Sequence, residues 1–270
     1  MDTVYFLAAP ITASLLLAAI LSYFGNHILT RGIIFIDIAV AQVAALGTML
    51  GILIGVQDGT LLSTVISLAF TLVILSLFSL AKFQHTELSR EVIIGVIYCV
   101  ALATAMLLVD AVQGGANFVQ KTLTGSLLWV SWNDIVQMLL LFSLVICIHA
   151  FFRKQFIALS ENSEQTTFSS YNRRLDLLFY VTFGFVIVQA VKIGGIFLVF
   201  MYLIAPATLA QLYTDSWNKR FVISFVTAMI GSLAGIYISY QYNFPNGPTI
   251  VCALGALLIM SILAQQKRLV

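Results

Sequence analysis

The sequence predicts an all-α polytopic membrane protein that crosses the bilayer about nine times. Of its 270 residues, 61% are hydrophobic and only 9% are charged, whereas a soluble domain carries about 25% charged residues. So few charges cannot cover a surface that faces water. Apolar runs of about 20 residues, the length that a helix needs to cross the hydrocarbon core, recur along the whole chain.

The predicted spans follow one another without an intervening domain, so residues 1–270 are expected to form a single transmembrane domain. The first is expected to be a retained span, because Asp2 stands where a cleavable signal carries basic residues. Only residues 190–192 separate the sixth span from the seventh, so eight spans are the alternative. The nine spans lie at about residues 4–24, 33–56, 60–81, 92–112, 134–152, 175–190, 193–213, 220–242 and 249–265.

The basic residues predict the orientation, because Lys and Arg collect in cytoplasmic loops. With the N-terminus outside, only Lys121 and Lys192 of the 13 basic residues fall on the outer side. This split predicts that the N-terminus lies outside and the C-terminus inside, which requires an odd number of spans. The protein is expected in the cell inner (plasma) membrane. The inner residues are Arg31, Lys82, Arg90, Arg153, Lys154, Arg173, Arg174, Lys219, Arg220, Lys267 and Arg268.

No motif for nucleotide binding or catalysis occurs in the chain. It has no Gly-x4-Gly-Lys-Ser/Thr phosphate loop, no His-Glu-x-x-His and no Gly-x-Ser-x-Gly. The chain is therefore expected to be no enzyme and to bind no cofactor, and any ATP that drives transport is expected to be used by a separate subunit. The three histidines and three cysteines are scattered singly and predict no metal site.

The second span carries two polar side chains, Asp37 and Gln42. A carboxylate in hydrocarbon costs about 2.5–3.5 kcal/mol on insertion scales, so it usually faces a polar cavity or a partner. Asp37, near the start of the span, lies either at the interface or on a translocation path, where it is a candidate metal ligand. Gln42, which is deeper, either bonds a neighbouring helix or lines the path.

Small residues, a proline and a lysine mark further candidate positions. Gly47, Gly51 and Gly55 recur every four residues and predict close packing, either within the subunit or against a second copy. Pro206 is expected to kink the seventh span, as in helices that line transport cavities. Lys192 is either an interfacial anchor or a contact at an outer gate or with a binding protein.

Two polar segments stand out by their length. The inner segment, residues 153–174, is much longer than the other inner loops, and long loops are more often functional. It is predicted to dock a cytoplasmic partner. On the outer side, residues 119–128 predict a short helix that lies on the membrane or re-enters it.

Four segments together resemble the permease subunits of the zinc/manganese/iron-type ABC importers. They are Phe35-x11-Gly47, Leu123-Thr124-Gly125-Ser126-Leu127-Leu128-Trp129-Val130-Ser131-x2-Asp134, Gly194-Gly195-Ile196-Phe197-Leu198-Val199-x6-Pro206-Ala207-x2-Ala210 and Pro245-x-Gly247-Pro248-Thr249-Ile250-Val251.

This resemblance implies an ABC importer permease fold and a homodimer. It also implies two cytoplasmic ATPase subunits, an extracytoplasmic solute-binding protein and alternating access for a divalent transition metal. The segment 153–174 would hold the ATPase-docking coupling helix, with Phe156, Leu159 and Glu161 as contacts.

One departure from the family affects the cargo. The family's second span carries an Asp and a His four residues apart, whereas the matching positions here are Ile38 and Gln42. Asp37 is shifted by one residue and lies about 140° and about 7.5 Å from Gln42 on a regular helix. The metal site is therefore not carried over intact, and the alternatives are weaker ion binding or a metal chelate or other solute as cargo.

Two other function classes are alternatives. An ion-coupled secondary carrier would show paired broken helices in two repeats, but a single proline-interrupted span is present. A structural subunit without transport is favoured only by the scarcity of polar residues in the spans.

Overall fold

The protein is a bundle of long helices. The structure, a computed structural model, describes residues 2–80, 90–112, 114–162 and 170–269. The predicted inner residue Lys82, the histidine at position 85, and residues 163–169 of the predicted docking segment lie outside the described residues. Within the described ranges, the α-helices are α1 Asp2–Thr30, α2 Ile36–Leu53, α3 Leu61–Leu80, α4 Arg90–Leu108, α5 Gly115–Thr124, α6 Trp132–Phe151, α7 Arg153–Glu161, α8 Ser170–Tyr213, α9 Trp217–Tyr242 and α10 Asn246–Leu269.

Eight helices in the described ranges are long and apolar enough to cross a membrane. One of them, α8, has 44 residues and would be about 66 Å long if straight, whereas the hydrocarbon core is about 30 Å thick. Its backbone breaks at Gly195, with φ 76° and ψ 164°. Both the sixth and the seventh predicted spans therefore lie within α8.

The two halves of α8 run in opposite directions. Near its start, Asp176 accepts a hydrogen bond from Arg31, just after α1, at 2.6 Å. Near its end, Gln211 donates to Thr30 at 3.4 Å, whereas Gly194 lies beside the middle of α1. The described chain therefore makes nine crossings. The break falls at Gly195 rather than at residues 190–192. The backbone there has φ 76° and ψ 164°, a conformation that is essentially restricted to glycine.

The basic residues lie at two opposite ends of the bundle. Arg31 at the end of α1, Arg153 at the start of α7 and Arg220 near the start of α9 share one end, where Arg31 pairs with α8 and Arg153 bonds α9. Lys121 and Lys192 lie at the other end, on α5 and close to the reversal of α8. This distribution matches the predicted orientation, with the N-terminus outside and the C-terminus inside.

The core lies along α1, α2 and α8, and the outer helices face away from it. Phe24 of α1 packs edge-on against Phe179 of α8, with 5.5 Å between ring centroids. By contrast, large apolar side chains on α3, α4 and α6 are exposed, among them Leu61, Leu107 and Leu140. Exposed apolar side chains on so many helices fit a surface covered by lipid.

The predicted glycine surface of α2 is used within the subunit. A Cβ atom on Gly47 would lie 3.1 Å from Phe70, and one on Gly51 would lie 3.3 Å from Ile66, both of α3. Gly55 follows the end of α2 and has open space around the position of a Cβ. The small residues at Gly47 and Gly51 therefore bring α3 close to α2 within the subunit.

Four glycines join three segments at the outer end of the bundle. A Cβ on Gly195 would overlap the backbone of Gly125, and one on Gly125 would overlap that of Gly194, since the two segments touch through their main chains. Ser126 donates its backbone N–H to the carbonyl of Ile193 at 3.0 Å. The predicted short helix is confirmed as α5, and it ends at this contact. We call this set of four glycines, namely Gly125, Gly194, Gly195 and Gly247, the glycine junction.

Replacing Gly195 should destabilise the fold. Gly195→Ala would force a residue with a side chain into the positive-φ conformation of Gly195, which costs about 1–3 kcal/mol. The added Cβ would also overlap the backbone of Gly125. We expect a lower midpoint of thermal unfolding in detergent. Gly95→Ala is the matched control, because nothing lies within 4 Å of its Cβ position on α4. Equal midpoints for the two variants would contradict the assigned role of Gly195.

Candidate translocation site

Three cavities follow one another from the outer end of the bundle toward its middle. The outer cavity, about 620 Å³, lies between α5, the segment after it and the reversal of α8. The middle cavity, about 120 Å³, lies between α2, α3, α5 and α8. The inner cavity, about 10 Å³, lies between α2, α4 and α5. Lys121 and Lys192 line both the outer and middle cavities, whereas Ala45, Phe118 and Thr122 line both the middle and inner cavities.

Gln42 lies at the inner end of this series. Its side chain is 4% exposed and lines the inner cavity together with apolar groups such as Leu102 and Phe118. A volume of about 10 Å³ is about the smallest that holds one water molecule. The three cavities therefore decrease in volume from the outer end of the bundle to Gln42.

Asp37 lies apart from the three cavities. It is in the first turn of α2, 1% exposed, and its Oδ1 atom has no hydrogen-bond partner among the described residues. Because α2 is a continuous helix from Ile36 to Leu53, the large angular offset between Asp37 and Gln42 expected from the sequence holds in the structure. The two side chains do not form one clamp.

Pro206 is buried in the second half of α8 and lines none of these three cavities. Within α8 the backbone leaves helical geometry at Gly195, not at Pro206. The break at Gly195 separates the sixth span from the seventh and is distinct from the kink predicted within the seventh span at Pro206. A proline in a helix removes one hydrogen bond, whereas a glycine can reverse the chain direction altogether.

The polar groups of the cavities are mostly neutral. Hydroxyl groups of α3 line the middle cavity, and the amide of Gln189 joins them from α8. The Nε2 atom of Gln189 is buried and has no partner in the described part of the chain. Nowhere in that part do three or more His, Cys, Asp or Glu side chains gather as they would around a metal ion. Asp37 is therefore not part of a group of three or more such side chains among the described residues.

The predicted docking helix is confirmed as a helix, α7, but its faces differ from the expectation. Phe156 and Leu159, the predicted ATPase contacts, are 0% and 5% exposed and pack into the core. They anchor α7 to the bundle instead of facing a partner. Glu161 is exposed and accepts a hydrogen bond from Trp217 Nε1 at 2.6 Å. The outward face of α7 also carries Lys154 and Ala158.

A buried polar network holds α7 in place, and sequence reasoning missed it. Ser160 is fully buried and accepts a hydrogen bond from Arg31 Nε at 3.1 Å, and its Oγ lies 2.9 Å from His27 Nδ1. Arg31 also pairs with Asp176, so α1, α7 and α8 are joined through one guanidinium. The spacing of polar residues along α1 is the signal that could have found it, because Asn26 and His27 follow Ser22 on the buried side of that helix.

The two described histidines lie in this region although they are far apart in sequence. His149 Nδ1 is 3.0 Å from the hydroxyl of Tyr23, and its Nε2 is 2.8 Å from that of Thr182. The ring of Tyr23 also lies 5.0 Å from that of His27. These contacts give both ring nitrogens of His149 a partner between α1, α6 and α8, whereas Nε2 of His27 is buried and has no hydrogen-bond partner among the described residues.

The chain matches the ABC 3 transport family over residues 3–265. It belongs to this family. It is similar to the manganese transport system membrane protein MntB of Synechocystis sp., with 23% identity over 68% of this chain and 60% of that protein. It is also similar to the manganese transport system membrane protein MntC of Halalkalibacterium halodurans, with 25% identity over 97% of this chain and 88% of that protein.

The fold is also found in a solved structure. PsaBC from Streptococcus pneumoniae, determined in complex with Fab, superposes with a TM-score of 0.77 and 20% sequence identity, over 96% of this chain and 93% of that chain. The predicted family and fold are thereby confirmed. This ABC 3 chain is a multi-pass protein of the cell inner membrane.

Removing the hydroxyl of Ser160 should loosen α7. In Ser160→Ala, Arg31 Nε and His27 are left without their partner in a buried site, and a buried unsatisfied group costs about 1–3 kcal/mol. We expect a lower unfolding midpoint and faster proteolysis within α7. Ser143→Ala on the exposed face of α6 is the control. If both variants match the wild-type protein, Ser160 is not an anchor of α7.

Proposed function

We propose that this chain is the membrane-spanning subunit of an ATP-driven importer for a transition metal, namely zinc, manganese or iron, and that it works by alternating access. The observation that carries the proposal is the series of cavities that starts at the outer end and narrows to Gln42. Membership of the ABC 3 transport family and the names of its manganese-transporting relatives support this cargo class.

The partners follow from the two ends of the molecule. A cytoplasmic ATPase subunit binds the outward face of α7, which carries Lys154, Ala158 and Glu161 at the inner end. An extracytoplasmic solute-binding protein delivers the cargo to the outer cavity, near Lys192. Two copies of this chain associate through their exposed apolar faces. ATP is used by the partner subunit, and this chain holds no cofactor of its own.

The conformation corresponds to the outward-open part of a transport cycle. The route is wide near Lys192 and almost closed at Gln42. Movement of α7 by the ATPase shifts α1 and α8, since Arg31 and Ser160 tie the three helices together. That shift opens the route beyond Gln42 and closes it outside. Asp37, with its unpartnered carboxylate oxygen, then serves as a transient ligand for the cargo on the inner side.

Reconstitution tests this function directly. The permease, its ATPase and its solute-binding protein are placed in sealed vesicles, and uptake of radioactive manganese, zinc and iron is followed with and without ATP. We expect uptake that requires ATP and all three components. Uptake by this chain alone, or the absence of ATP-dependent uptake of every metal, would contradict the proposal.

The route can be tested at its narrowest point. Gln42→Leu removes the side-chain amide from the inner cavity, so the cargo loses a ligand that replaces water there, and we expect uptake to fall about tenfold, equivalent to about 1.4 kcal/mol. Assembly with the ATPase should be unchanged in a co-purification assay. Gln137→Leu, on the exposed face of α6, is the control. Wild-type uptake by Gln42→Leu would remove this residue from the route.

Docking can be tested on the outward face of α7. Ala158→Arg places a large charged side chain at an exposed position, so the helix should fold while the ATPase is kept away by steric overlap. We expect loss of the ATPase during co-purification. Ala116→Arg, exposed on α5 at the outer end, is the control and should retain it. If Ala158→Arg also retains the ATPase, that subunit docks elsewhere.

A further inference from the structure

Two hydrogen bonds between side chains join α7 to the first turn of α9. At the start of α7 the guanidinium of Arg153 donates to the side-chain oxygen of Asn218. At the end of α7 the carboxylate of Glu161 accepts a hydrogen bond from Nε1 of Trp217 at 2.6 Å. Arg153 and Glu161 are the first and last of the 9 residues of α7, about 12 Å apart along the helix. The two bonds therefore start from opposite ends of α7 and meet at one turn of α9.

Trp217 contacts α1 as well as α7. Its ring lies 4.9 Å from the ring of His27 of α1 and 5.6 Å from that of Phe221 within α9. The Nδ1 atom of His27 is 2.9 Å from Oγ of Ser160, the residue before Glu161. These contacts close into a ring, because Ser160 and Glu161 are neighbours in α7. One of them is held by α1, and the other is held by α9.

The two sides of α7 are attached by different kinds of contact. Toward the core, Phe156 is fully buried with its ring 5.8 Å from that of Phe179 of α8, and Ser160 is also fully buried. Separating such groups exposes apolar surface or leaves polar atoms without partners. Toward α9, Glu161 and Asn218 are exposed, so water can replace their hydrogen bonds at small cost. The outer side of the last turn of α7 is therefore its weakly held part.

The helix α9 is in turn joined to the core by buried hydrogen bonds. Asn26 of α1 donates to Oγ of Ser224 at 2.9 Å. Deeper in the membrane, the hydroxyls of Tyr202 and Ser232 are 2.6 Å apart, and both residues are fully buried. Tyr202 belongs to the second half of α8, which follows the reversal at Gly195. The first turn of α9 is thus continuous with a helix that is bonded to both α1 and α8.

We infer that Trp217 is a positioning residue for the coupling of ATP hydrolysis to transport. By holding Glu161 it keeps the last turn of α7 against α1 and α9, so a displacement of α7 by the ATPase moves these helices instead of bending the docking helix away from them. The inference rests on the proposed function of ATP-driven import. Trp217 lines none of the three cavities, so its effect is on coupling and not on cargo binding.

Replacing Trp217 by phenylalanine isolates the indole hydrogen bond. Trp217→Phe keeps an aromatic ring beside His27 and removes the donor to Glu161. The complete transporter is placed in sealed vesicles, and ATP hydrolysis is measured together with uptake of radioactive manganese, zinc and iron. We expect the ATPase to co-purify and to hydrolyse ATP, while uptake per ATP falls about fivefold, the lower end of usual coupling factors, because the bond faces solvent. The cargo concentration that gives half-maximal uptake should not change.

The matched control is Trp132→Phe, which changes another exposed tryptophan in the same way at the start of α6, at the outer end. It should couple like the wild-type protein. A double-mutant cycle then assigns the effect to one pair of side chains. Glu161→Ala should lower uptake per ATP by a similar factor, and combining it with Trp217→Phe should lower it no further, since each change removes the same bond. All values are compared per bound ATPase, because Glu161 also belongs to the proposed docking face.

Three results would overturn the inference while the proposed function stands. In the first, Trp217→Phe takes up as much cargo per ATP as Trp132→Phe. In the second, the effects of Trp217→Phe and Glu161→Ala add in full, so they do not act through one bond. In the third, Trp217→Phe loses the ATPase or unfolds at a clearly lower temperature in detergent, which makes Trp217 a docking or folding residue. Absence of ATP-dependent uptake of every metal by the wild-type transporter would overturn both the inference and the proposed function.

Discussion

The backbone contact at the glycine junction is the constraint on which the arrangement of the outer half depends. Gly125 and Gly195 allow two main chains to touch where any side chain would hold them apart. Within a membrane every backbone polar group needs a partner inside the protein, and the bond from Ser126 to Ile193 supplies one. This contact ends α5, accompanies the reversal of α8 and brings Lys121 and Lys192 to one cavity.

The first half of α8 connects the two ends of the molecule. At the inner end Asp176 pairs with Arg31, which also bonds Ser160 of α7. At the outer end the same helix carries Gln189 and Lys192, which line the cavities. The first half of α8 therefore joins α7 at the inner end to the lining of the cavities at the outer end through one continuous helix.

Several features of the site could be predicted from the sequence. The offset between Asp37 and Gln42 depends only on the helical repeat, and it holds because α2 is continuous. The family resemblance implies a helix in the long inner segment, and a helix forms there as α7. Which face of α7 is free could not be predicted, since Phe156 and Leu159 are buried by helices that are distant in sequence. The distribution of basic residues places the two lysines on the outer side, but their meeting at one cavity depends on the reversal of α8.

The sequence by itself determined that the chain is a polytopic membrane protein, its orientation and its family, because hydrophobic length, the placement of basic residues and motif order are local properties of the chain. The tertiary structure decided where α8 reverses, which glycines pack within the subunit, and which polar groups line the cavities. Those features arise from contacts between segments far apart in sequence, such as Gly125 with Gly195 and Arg31 with Asp176. The hydrophobicity of each segment decides whether it crosses the bilayer as a helix, whereas close packing between the helices decides which side chains line the cavities.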